Sequence, residues 1–464
     1  MVFASLLFIY LFLPINIILY FLSKNVTYRN IILIIFSLFF YAWGEPVWVL
    51  LLVLSATLDY INGRVIERCR GTYKAKISLI ASIVINLGLL ATFKYSGFFV
   101  ENINSIFGIS IPVPKFDLPI GISFYTFQTL SYVLDVYKGR VTAATKYHQY
   151  LLYLSLYPQL IAGPIVRYTD VAAEIKDRRS TLNGIYDGAS RFCVGLAKKV
   201  LIANAAGNLA SQYMNGDMMN LPAAAAWFGA LMYMLQIYFD FSGYSDMAIG
   251  LGKIFGFKYP ENFNYPYIAK SSTEFWRRWH ISLSSFFRDY VYIPLGGKYR
   301  HQYLNLTIVW LLTGLWHGAS WNFIAWGVYY GVFIILEKLF LLKWEEKLPS
   351  VLRHIGQLFV VIIGWVLFYF TDITEAWRYI TVMFGASGTW YNSAFGAVFM
   401  NNIFFVLVSC AVCAPILPKI KEILEEKAPM LKVWLTTICS AVLLLASSAA
   451  LVGESYNPFL YFRF

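Results

Sequence analysis

Along this sequence, apolar runs long enough to match the thickness of a lipid bilayer follow one another. A membrane-spanning helix needs about 20 consecutive, mostly apolar residues. Of the 464 residues, 59% are hydrophobic and only 13% are charged, so much of the folded surface has to face lipid. The sequence therefore predicts an all-α polytopic membrane protein. The clearest candidate spans are residues 2–22, 78–99, 118–137, 222–242, 320–337, 355–371, 395–416 and 433–452.

Other apolar stretches are shorter or interrupted. We expect residues 30–43 and 47–59 to form two short, tilted helices. Residues 147–166 and 302–316 are either spans or re-entrant segments, and the amphipathic stretch 185–212 suits the membrane surface. Together these segments predict about eleven membrane helices, give or take about two.

The chain shows no repeat, linker or low-complexity tract, which predicts a single membrane domain over residues 1–464. The first apolar run begins at once, without a basic leader or a small-residue cleavage site. It is therefore expected to be a retained helix and not a cleaved signal.

Charge asymmetry predicts the topology, because cytoplasmic loops carry an excess of Lys and Arg. Stretches 100–117 and 372–394 carry little excess positive charge and should face outward. Both Met1 and the C-terminal segment 453–464 then lie outside, which requires an even number of crossings. If eleven segments enter the membrane, at least one is re-entrant. The basic segments expected in the cytoplasm are 64–76, 138–146, 338–353 and 418–432.

The net charge of +12 does not indicate nucleic-acid binding, since the basic residues lie in short groups beside apolar runs. We therefore expect membrane lipids and no nucleic acid as partners. The C-x-x-C formed by Cys410 and Cys413 lies in an apolar helical run, where Cys behaves as a small hydrophobe. A redox or metal role for this pair is disfavoured.

One dense polar belt runs from Asp240 to Asn322. Ionisable groups inside a membrane are costly and tend to mark function. Asp240 and Asp246 lack a third metal ligand at helical spacing, and no H-E-x-x-H motif is present. Pairing with Arg and hydroxyl groups that fixes the fold is therefore favoured over metal binding, and no metal site is predicted.

The belt continues with a segment that fits a helix, in which Glu274 stands three and four residues before Arg277 and Arg278. Aromatic residues, Trp276 among them, flank these charges. The basic face suits a phosphate-bearing donor. It suits anionic lipid headgroups equally well, and both interpretations stay open.

His317 stands alone between apolar runs, flanked by Trp316 and Trp321, with Gly314 and Gly318 permitting close helix approach. A buried neutral imidazole can take a proton from a hydroxyl, so this segment is a candidate general-base site. A structural histidine bonded to a backbone carbonyl is the alternative, and the residues alone do not decide between them. The remaining histidines, which we expect to be solvated, are His148, His301 and His354.

Two familiar motifs are missing from the chain. There is no G-x-S-x-G elbow for Ser-His-Asp catalysis. There is also no G-x-x-x-x-G-K-[ST] loop, which binds the phosphates of ATP in many transport proteins. Its absence argues against ATP-driven transport by this chain.

Six motifs stand out along the chain: GISFYTFQ at 121–128, AGPI at 162–165, DFSGYSDMAIG at 240–250, EFWRRWHISL at 274–283, RDYVYIPLGG at 288–297 and WHGASWNFIAWG at 316–327. These motifs resemble those of the alginate O-acetyltransferase branch of the membrane-bound O-acyltransferase (MBOAT) family. The last of them is similar to the segment that holds the family's essential histidine. The likeness extends over the whole chain.

This resemblance implies a many-helix bundle around a central tunnel, with additional re-entrant or interfacial helices. It also implies that the catalytic region of the chain spans about residues 118–340. By position, His317 matches the catalytic histidine, and His280 matches a second, less universal polar position. The resemblance further implies acyl transfer from a cytoplasmic thioester, with acetyl coenzyme A as the expected donor substrate and no bound cofactor. Candidate substrate- or donor-binding residues are Trp276, Arg277, Arg278, Trp316 and Asn322.

The family resemblance also implies a location and a partner. It places the chain in the bacterial cytoplasmic (inner) membrane. Envelope-modifying members act with an extracytoplasmic acetyltransferase of the SGNH type that completes delivery to the polymer, and alginate, cellulose, peptidoglycan and secondary wall polymers all remain open as the final acceptor.

The C-terminal sequence NPFLYFRF, at residues 457–464, is short and aromatic. Taken alone it suits an interfacial anchor. It also resembles the aromatic ending associated with acyl relay in envelope acylation systems, where a tyrosine carries the acyl group as an ester. That resemblance implies Tyr461 as the relay, seated by Phe459, Phe462 and Phe464.

Two other functions compete with acyl transfer: a polysaccharide or lipid transporter, and a scaffold for a secreted acetyltransferase without chemistry of its own. A transporter would more often show paired broken helices and internal repeats, and neither is evident. The single His flanked by Trp and Gly favours the enzyme.

Overall fold

The computed structural model describes residues 1–453 and 458–460, and within that part of the chain the regular secondary structure is helical, without a strand. This confirms the predicted all-α class. Tyr461, predicted as an acyl relay, lies outside the described residues, as do Phe462 and Phe464.

The chain divides into two compact units. The first comprises Met1–Cys193, Tyr244–Glu261 and the described part of Leu451–Phe462, and the second comprises Val194–Gly243 and Asn262–Ala450. The expectation of one domain over residues 1–464 stays a prediction.

The first ten α-helices begin in the first unit, and α10 ends in the second. They are α1 (Leu13–Phe21), α2 (Val26–Gly44), α3 (Trp48–Arg68), α4 (Tyr73–Leu90), α5 (Ser96–Phe107), α6 (Ile122–Tyr137), α7 (Tyr147–Ser155), α8 (Tyr157–Leu160), α9 (Tyr168–Lys176) and α10 (Leu182–Ala197).

The later helices belong to the second unit, except that α12 ends in the first and α22 reaches its boundary. They are α11 (Asn204–Met214), α12 (Ala223–Phe255), α13 (Ser272–Arg278), α14 (Ile281–Phe287), α15 (Gln302–His317), α16 (Trp321–Leu336), α17 (Leu342–Glu345), α18 (Ser350–Tyr369), α19 (Ile373–Met383), α20 (Ser393–Val412), α21 (Ile416–Lys427) and α22 (Pro429–Leu451).

Short π-helical segments interrupt or extend several of these helices. Insertions of this kind are often found at functional sites. The segments are Phe8–Phe12, Ala91–Tyr95, Lys198–Ala203, Arg288–Tyr292 and Glu337–Leu341.

Within the described residues, seven helices are long and apolar enough to cross a membrane. Two of them correct an expectation, because α2 and α3 have 19 and 21 residues and are not short. The predicted count of about eleven membrane helices stays a prediction. The seven helical stretches are Val26–Gly44, Trp48–Arg68, Tyr73–Phe107, Trp321–Glu345, Ser350–Tyr369, Ser393–Val412 and Pro429–Leu451.

A buried polar network joins α3 to α4 in the first unit. Asp59 accepts hydrogen bonds from the Asn86 amide at 2.8 Å and from the Ser82 hydroxyl. The Ser55 hydroxyl donates to Asn86 Oδ1 at 3.2 Å. A carboxyl group inside a span is costly unless it is paired, and here the partners come from the neighbouring helix, so the network fixes how the two helices pack.

Candidate active site

The two candidate histidines both lie in the second unit, at helix ends. His280 occupies the junction between α13 and α14, and His317 is the last residue of α15. A helix end places a side chain where the backbone changes direction, so both rings are presented at breaks in helical packing. Both side chains are buried, with 1% and 7% of the residue exposed.

His280 has a left-handed backbone conformation, with φ 44° and ψ 54°. A non-glycine residue in this region costs about 1–3 kcal/mol and persists only where its surroundings determine it. The surroundings here are a loop: the Ile281 amide donates to the Asn262 carbonyl at 2.9 Å, and Asn262 Oδ1 lies 3.1 Å from His280 Nδ1. The bend that separates α13 from α14 is thus held by Asn262.

His317 is enclosed by aromatic rings. Trp326 and Phe368 meet it edge-to-face, with ring centroids 5.0 Å and 5.1 Å away, and Phe323 lies 6.3 Å away with its plane inclined by 30°. Trp316 is a fourth neighbouring ring. Trp316 lies on α15, Phe323 and Trp326 lie on α16, and Phe368 lies on α18. Such an enclosure excludes water and holds the imidazole in an apolar environment.

Trp316 contacts both histidines. Its ring centroid lies 5.8 Å from that of His280 and 5.0 Å from that of His317. The two imidazoles therefore belong to one continuous cluster of rings within the second unit. Sequence separation alone, 37 positions, gave no indication of this proximity.

Close approach of α15 to α16 places His317 in its enclosure. A Cβ on Gly327 would stand 2.5 Å from the Trp310 carbonyl oxygen, and one on Gly314 would overlap the Phe323 carbonyl. A Cβ on Gly318 would overlap the Phe323 ring. The expectation that Gly314 and Gly318 permit close helix approach is confirmed.

The predicted donor-binding residues of α13 have different surroundings. Trp276 is buried among Trp310, Trp326 and Tyr330, with centroids 4.9 Å, 5.4 Å and 4.8 Å away. Its ring thus contributes to the aromatic core. Arg277, by contrast, is exposed.

Arg278 pairs with Glu274 across one helical turn, with the closest N–O distance 2.9 Å, as the spacing predicts. Its guanidinium also donates to the Asn264 carbonyl at 3.1 Å. Partial burial works to raise the pKa of the Glu274 carboxyl, but the bonds from the Lys270 amide and Arg278 outweigh it and the pKa is lowered. Arg278 therefore helps to hold the loop that supports His280.

Glu337 anchors the other end of α13. Its carboxylate accepts hydrogen bonds from the backbone amides of Ser272 and Thr273, the latter at 2.8 Å. The Ser272 hydroxyl donates to Gln357 at 3.1 Å. The first amides of a helix lack intrahelical partners and favour negative charge, so Glu337 satisfies both requirements.

Asn322 lies one residue into α16 and is 1% exposed. Its Oδ1 accepts a hydrogen bond from the Ser320 hydroxyl. No described residue accepts a hydrogen bond from its Nδ2. The residue thus presents a buried amide donor five positions after His317.

Asp240 and Asp246 form ion pairs. Asp240 Oδ1 is 2.6 Å from Lys199 Nζ, and Asp246 Oδ1 is 2.9 Å from the Arg191 guanidinium. Arg191 also binds Glu261. These contacts confirm the interpretation that the two carboxylates fix the fold, although the partner of Asp240 is a lysine.

The other histidines were expected to be solvated. His301 is exposed, as expected, and His148 is half-buried. His354 is also half-buried, with its Nδ1 3.2 Å from the Ala269 carbonyl oxygen. The expectation therefore holds for His301 and only in part for His148 and His354, the latter because α18 packs its ring against a neighbouring loop.

Two positioning residues, Asn262 and Glu337, were not among the predicted site residues. A signal existed for each: Asn262 lies inside the polar belt, and Glu337 is a carboxylate directly after an apolar run. What the sequence lacks is any indication that they face α13 and α14.

The C-terminal segment is described at Pro458–Leu460 only. Phe459 is buried, and its ring meets that of Tyr244 edge-to-face at 4.8 Å. Both residues belong to the first unit. Phe459 is therefore part of the protein core.

Comparison with known proteins identifies the family. The sequence model of the membrane-bound O-acyltransferase family, MBOAT, matches residues 143–375. The probable alginate O-acetylase AlgI of Azotobacter vinelandii is 37% identical, with all of both chains covered. This chain belongs to the membrane-bound O-acyltransferase family.

Other MBOAT relatives have related names. The probable alginate O-acetylase AlgI of Pseudomonas aeruginosa is 42% identical over 84% of this chain and 76% of its own length. The peptidoglycan O-acetyltransferase of Helicobacter pylori is 31% identical over 100% of this chain and 98% of its own. The chain is thus a multi-pass membrane protein and an O-acyltransferase of the MBOAT family, as the motifs predicted.

Proposed function

We propose that this MBOAT enzyme moves an acetyl group from cytoplasmic acetyl coenzyme A to the outer side of the bacterial inner membrane, where an envelope polysaccharide is O-acetylated. The names of its relatives support this proposal, because they describe acetyl transfer to alginate and to peptidoglycan. The identity of the polymer is left to the partner that delivers the group.

The observation that carries the proposal is the buried imidazole of His317 in its ring of Trp316, Phe323, Trp326 and Phe368. In the proposed reaction, His317 takes the proton of an attacking hydroxyl. The hydroxyl oxygen bonds to the thioester carbonyl carbon, and the carbon–sulfur bond breaks. The coenzyme leaves as a thiol after the proton passes from His317 to its sulfur, so the histidine is regenerated.

Asn322 is the proposed stabiliser of negative charge in this reaction. Its buried Nδ2 donor, which no described residue engages, suits the oxygen that becomes negative when a thioester is attacked. Removal of one such donor in other enzymes costs about 10²–10³ in rate.

The exposed Arg277 and the half-buried Arg278 are proposed to attract the phosphates of the coenzyme. Arg278 already has a carboxylate partner, Glu274, so Arg277 carries most of this role. Trp276 supports the site from the aromatic core.

Delivery outside the membrane is proposed to involve an extracytoplasmic partner of the SGNH type and a C-terminus on the outer side. Tyr461 is the proposed carrier, since a phenolate is a better leaving group than a sugar alkoxide. Phe459, two positions earlier in the sequence, is buried in the protein. This supports a C-terminal segment that is bound by the protein over one that is anchored in lipid.

The test uses purified full-length protein and acetyl coenzyme A labelled in the acetyl group. We expect wild type to release or transfer label and His317→Ala to lose about 10²–10⁴ of that rate. His301→Ala, at an exposed site, is the matched control and should behave as wild type. Near-normal transfer by folded His317→Ala would reduce His317 to a structural role.

A further inference from the structure

The segment Asn262–Asn264 is paired with the chain on both sides of His280. The Asn264 amide donates to the Arg278 carbonyl, and the Ile281 amide donates to the Asn262 carbonyl, each at 2.9 Å. Asn262 itself is fully buried. The position of His280 therefore depends on this segment as much as on α13 and α14.

The contacts of Asn262 define which ring nitrogen of His280 carries the hydrogen. The backbone amide of Ser282 can only donate, and it lies 3.2 Å from Asn262 Oδ1. The atom facing His280 is therefore the amide oxygen, which only accepts. Because His280 Nδ1 lies 3.1 Å from the same oxygen, Nδ1 must be the protonated nitrogen.

The second ring nitrogen, Nε2, is then a bare acceptor. It is buried, and no described residue donates a hydrogen bond to it. Its surroundings are aromatic, with Phe241 edge-to-face at 4.7 Å and Trp316 at 5.8 Å. A buried polar atom without a partner costs about 1–3 kcal/mol, and the left-handed backbone of His280 adds a further cost.

Within the described residues, the fold thus keeps an unpaired Nε2 and a left-handed backbone at His280, although each costs free energy. This points to a bound molecule that supplies the missing hydrogen-bond donor. We propose that Asn262 is a positioning residue that fixes His280 in its Nδ1–H tautomer, so that Nε2 accepts a hydrogen bond from an N–H or O–H group of the bound substrate other than the attacking hydroxyl, whose proton goes to His317. The role in transfer rests on the proposed function, whereas the tautomer does not. Asn262 acts only through His280 and does not touch the substrate.

The tautomer can be read directly by NMR, from the imidazole nitrogen resonances of full-length protein labelled with a nitrogen isotope in its histidines. The chain has five histidines, and the signals of His280 are those lost in His280→Gln. We expect a protonated Nδ1 and a bare Nε2 in wild type. Asn262→Leu, similar in size but without an acceptor, should lose this pattern, and Asn262→Asp, which keeps acceptor oxygens, should retain the proton on Nδ1.

The same variants are compared for transfer from labelled acetyl coenzyme A at equal amounts of folded protein. Asn262→Leu should lose about tenfold or more, an effect of the size seen when the residue that orients a metal-binding histidine is removed. Asn262→Asp should recover part of that loss, which a simple packing role would not explain.

A wild-type spectrum with the proton on Nε2, or an unchanged spectrum in Asn262→Leu, would overturn the inference. A changed tautomer with normal transfer would overturn the positioning role in the reaction. If wild type itself shows no transfer, the proposed function fails, while the nitrogen spectra still decide the tautomer.

Discussion

Glu337 accepts a hydrogen bond from the backbone amide of Thr273 at 2.8 Å, across 64 positions of sequence. This contact ties the end of an apolar helix to the start of α13, which leads to His280. Loss of a partner from a buried amide costs about 1–3 kcal/mol. We therefore expect Glu337→Ala to lower the thermal unfolding temperature in detergent, and Glu337→Gln, which keeps one acceptor, to lower it less.

The control for this prediction is Glu425→Gln. Glu425 is exposed and pairs with Lys432 at 2.8 Å, and exposed pairs contribute little to stability. Equal effects of the Glu337 and Glu425 substitutions would contradict a supporting role for the buried carboxylate.

The class of fold and the position of His317 followed from sequence because both depend on local patterns. Apolar run length predicts spans, and a histidine between Trp and Gly residues predicts a buried ring. Run length misjudged α2 and α3, because polar residues such as Arg29 and Asp59 lie within these helices and shorten the apparent apolar stretch. Burial of those residues in helix packing removes them from lipid.

The support of His280 did not follow from sequence, for a different reason. Asn262 and Glu337 act through contacts with residues 18 and 64 positions away. A polar residue shows its type in the sequence but not its partner. Only the packed structure brings them together.

A further prediction concerns the energetic coupling between Lys199 and Asp240, which form a buried ion pair. Both side chains are about 5% exposed or less. Removal of one partner leaves an uncompensated buried charge, which typically costs about 3–5 kcal/mol. Lys199→Met and Asp240→Leu should each destabilise strongly, and the double variant should lose much less than their sum, as measured by thermal unfolding. Additive losses would mean that the pair is not coupled.

Substitutions at Gly327 and Gly356 test whether close packing of α15 against α16 is needed, with Gly356 as the matched control. A Cβ on Gly327 would stand 2.5 Å from the Trp310 carbonyl oxygen, whereas one on Gly356 would meet nothing within 4 Å. We expect Gly327→Ala to push α16 from α15, lowering both stability and transfer, because His317 ends α15. Gly356→Ala should match wild type in both measurements. Normal transfer by Gly327→Ala would show that the site tolerates this displacement.

The charge pattern predicts the orientation in the membrane. In a variant with all native cysteines replaced, Glu346→Cys lies in a basic segment and should label only after the membrane is opened. Ser110→Cys and Ser455→Cys should label in intact cells with a thiol reagent that cannot cross the membrane. Labelling of Glu346→Cys alone from outside would reverse the topology.

The final prediction concerns Tyr461. An acyl relay needs the phenolic oxygen, whereas an aromatic anchor needs only the ring. Tyr461→Phe keeps the ring and removes the oxygen, so it should abolish polymer acetylation while membrane insertion and partner binding stay normal. Phe459→Ala, which removes the ring packed on Tyr244 at 4.8 Å, tests seating of the tail and should reduce acetylation without altering Tyr461 itself.

The relay also predicts a covalent intermediate. With acetyl coenzyme A present and the partner absent, mass spectrometry of the C-terminal peptide should find an acetyl group on Tyr461. The adduct should vanish in His317→Ala, because no base then activates the phenol. In Phe459→Ala it should form more slowly, since the phenol is less well held. Normal polymer acetylation by Tyr461→Phe would remove the tyrosine from the pathway and require transfer to pass directly to the sugar or to the partner.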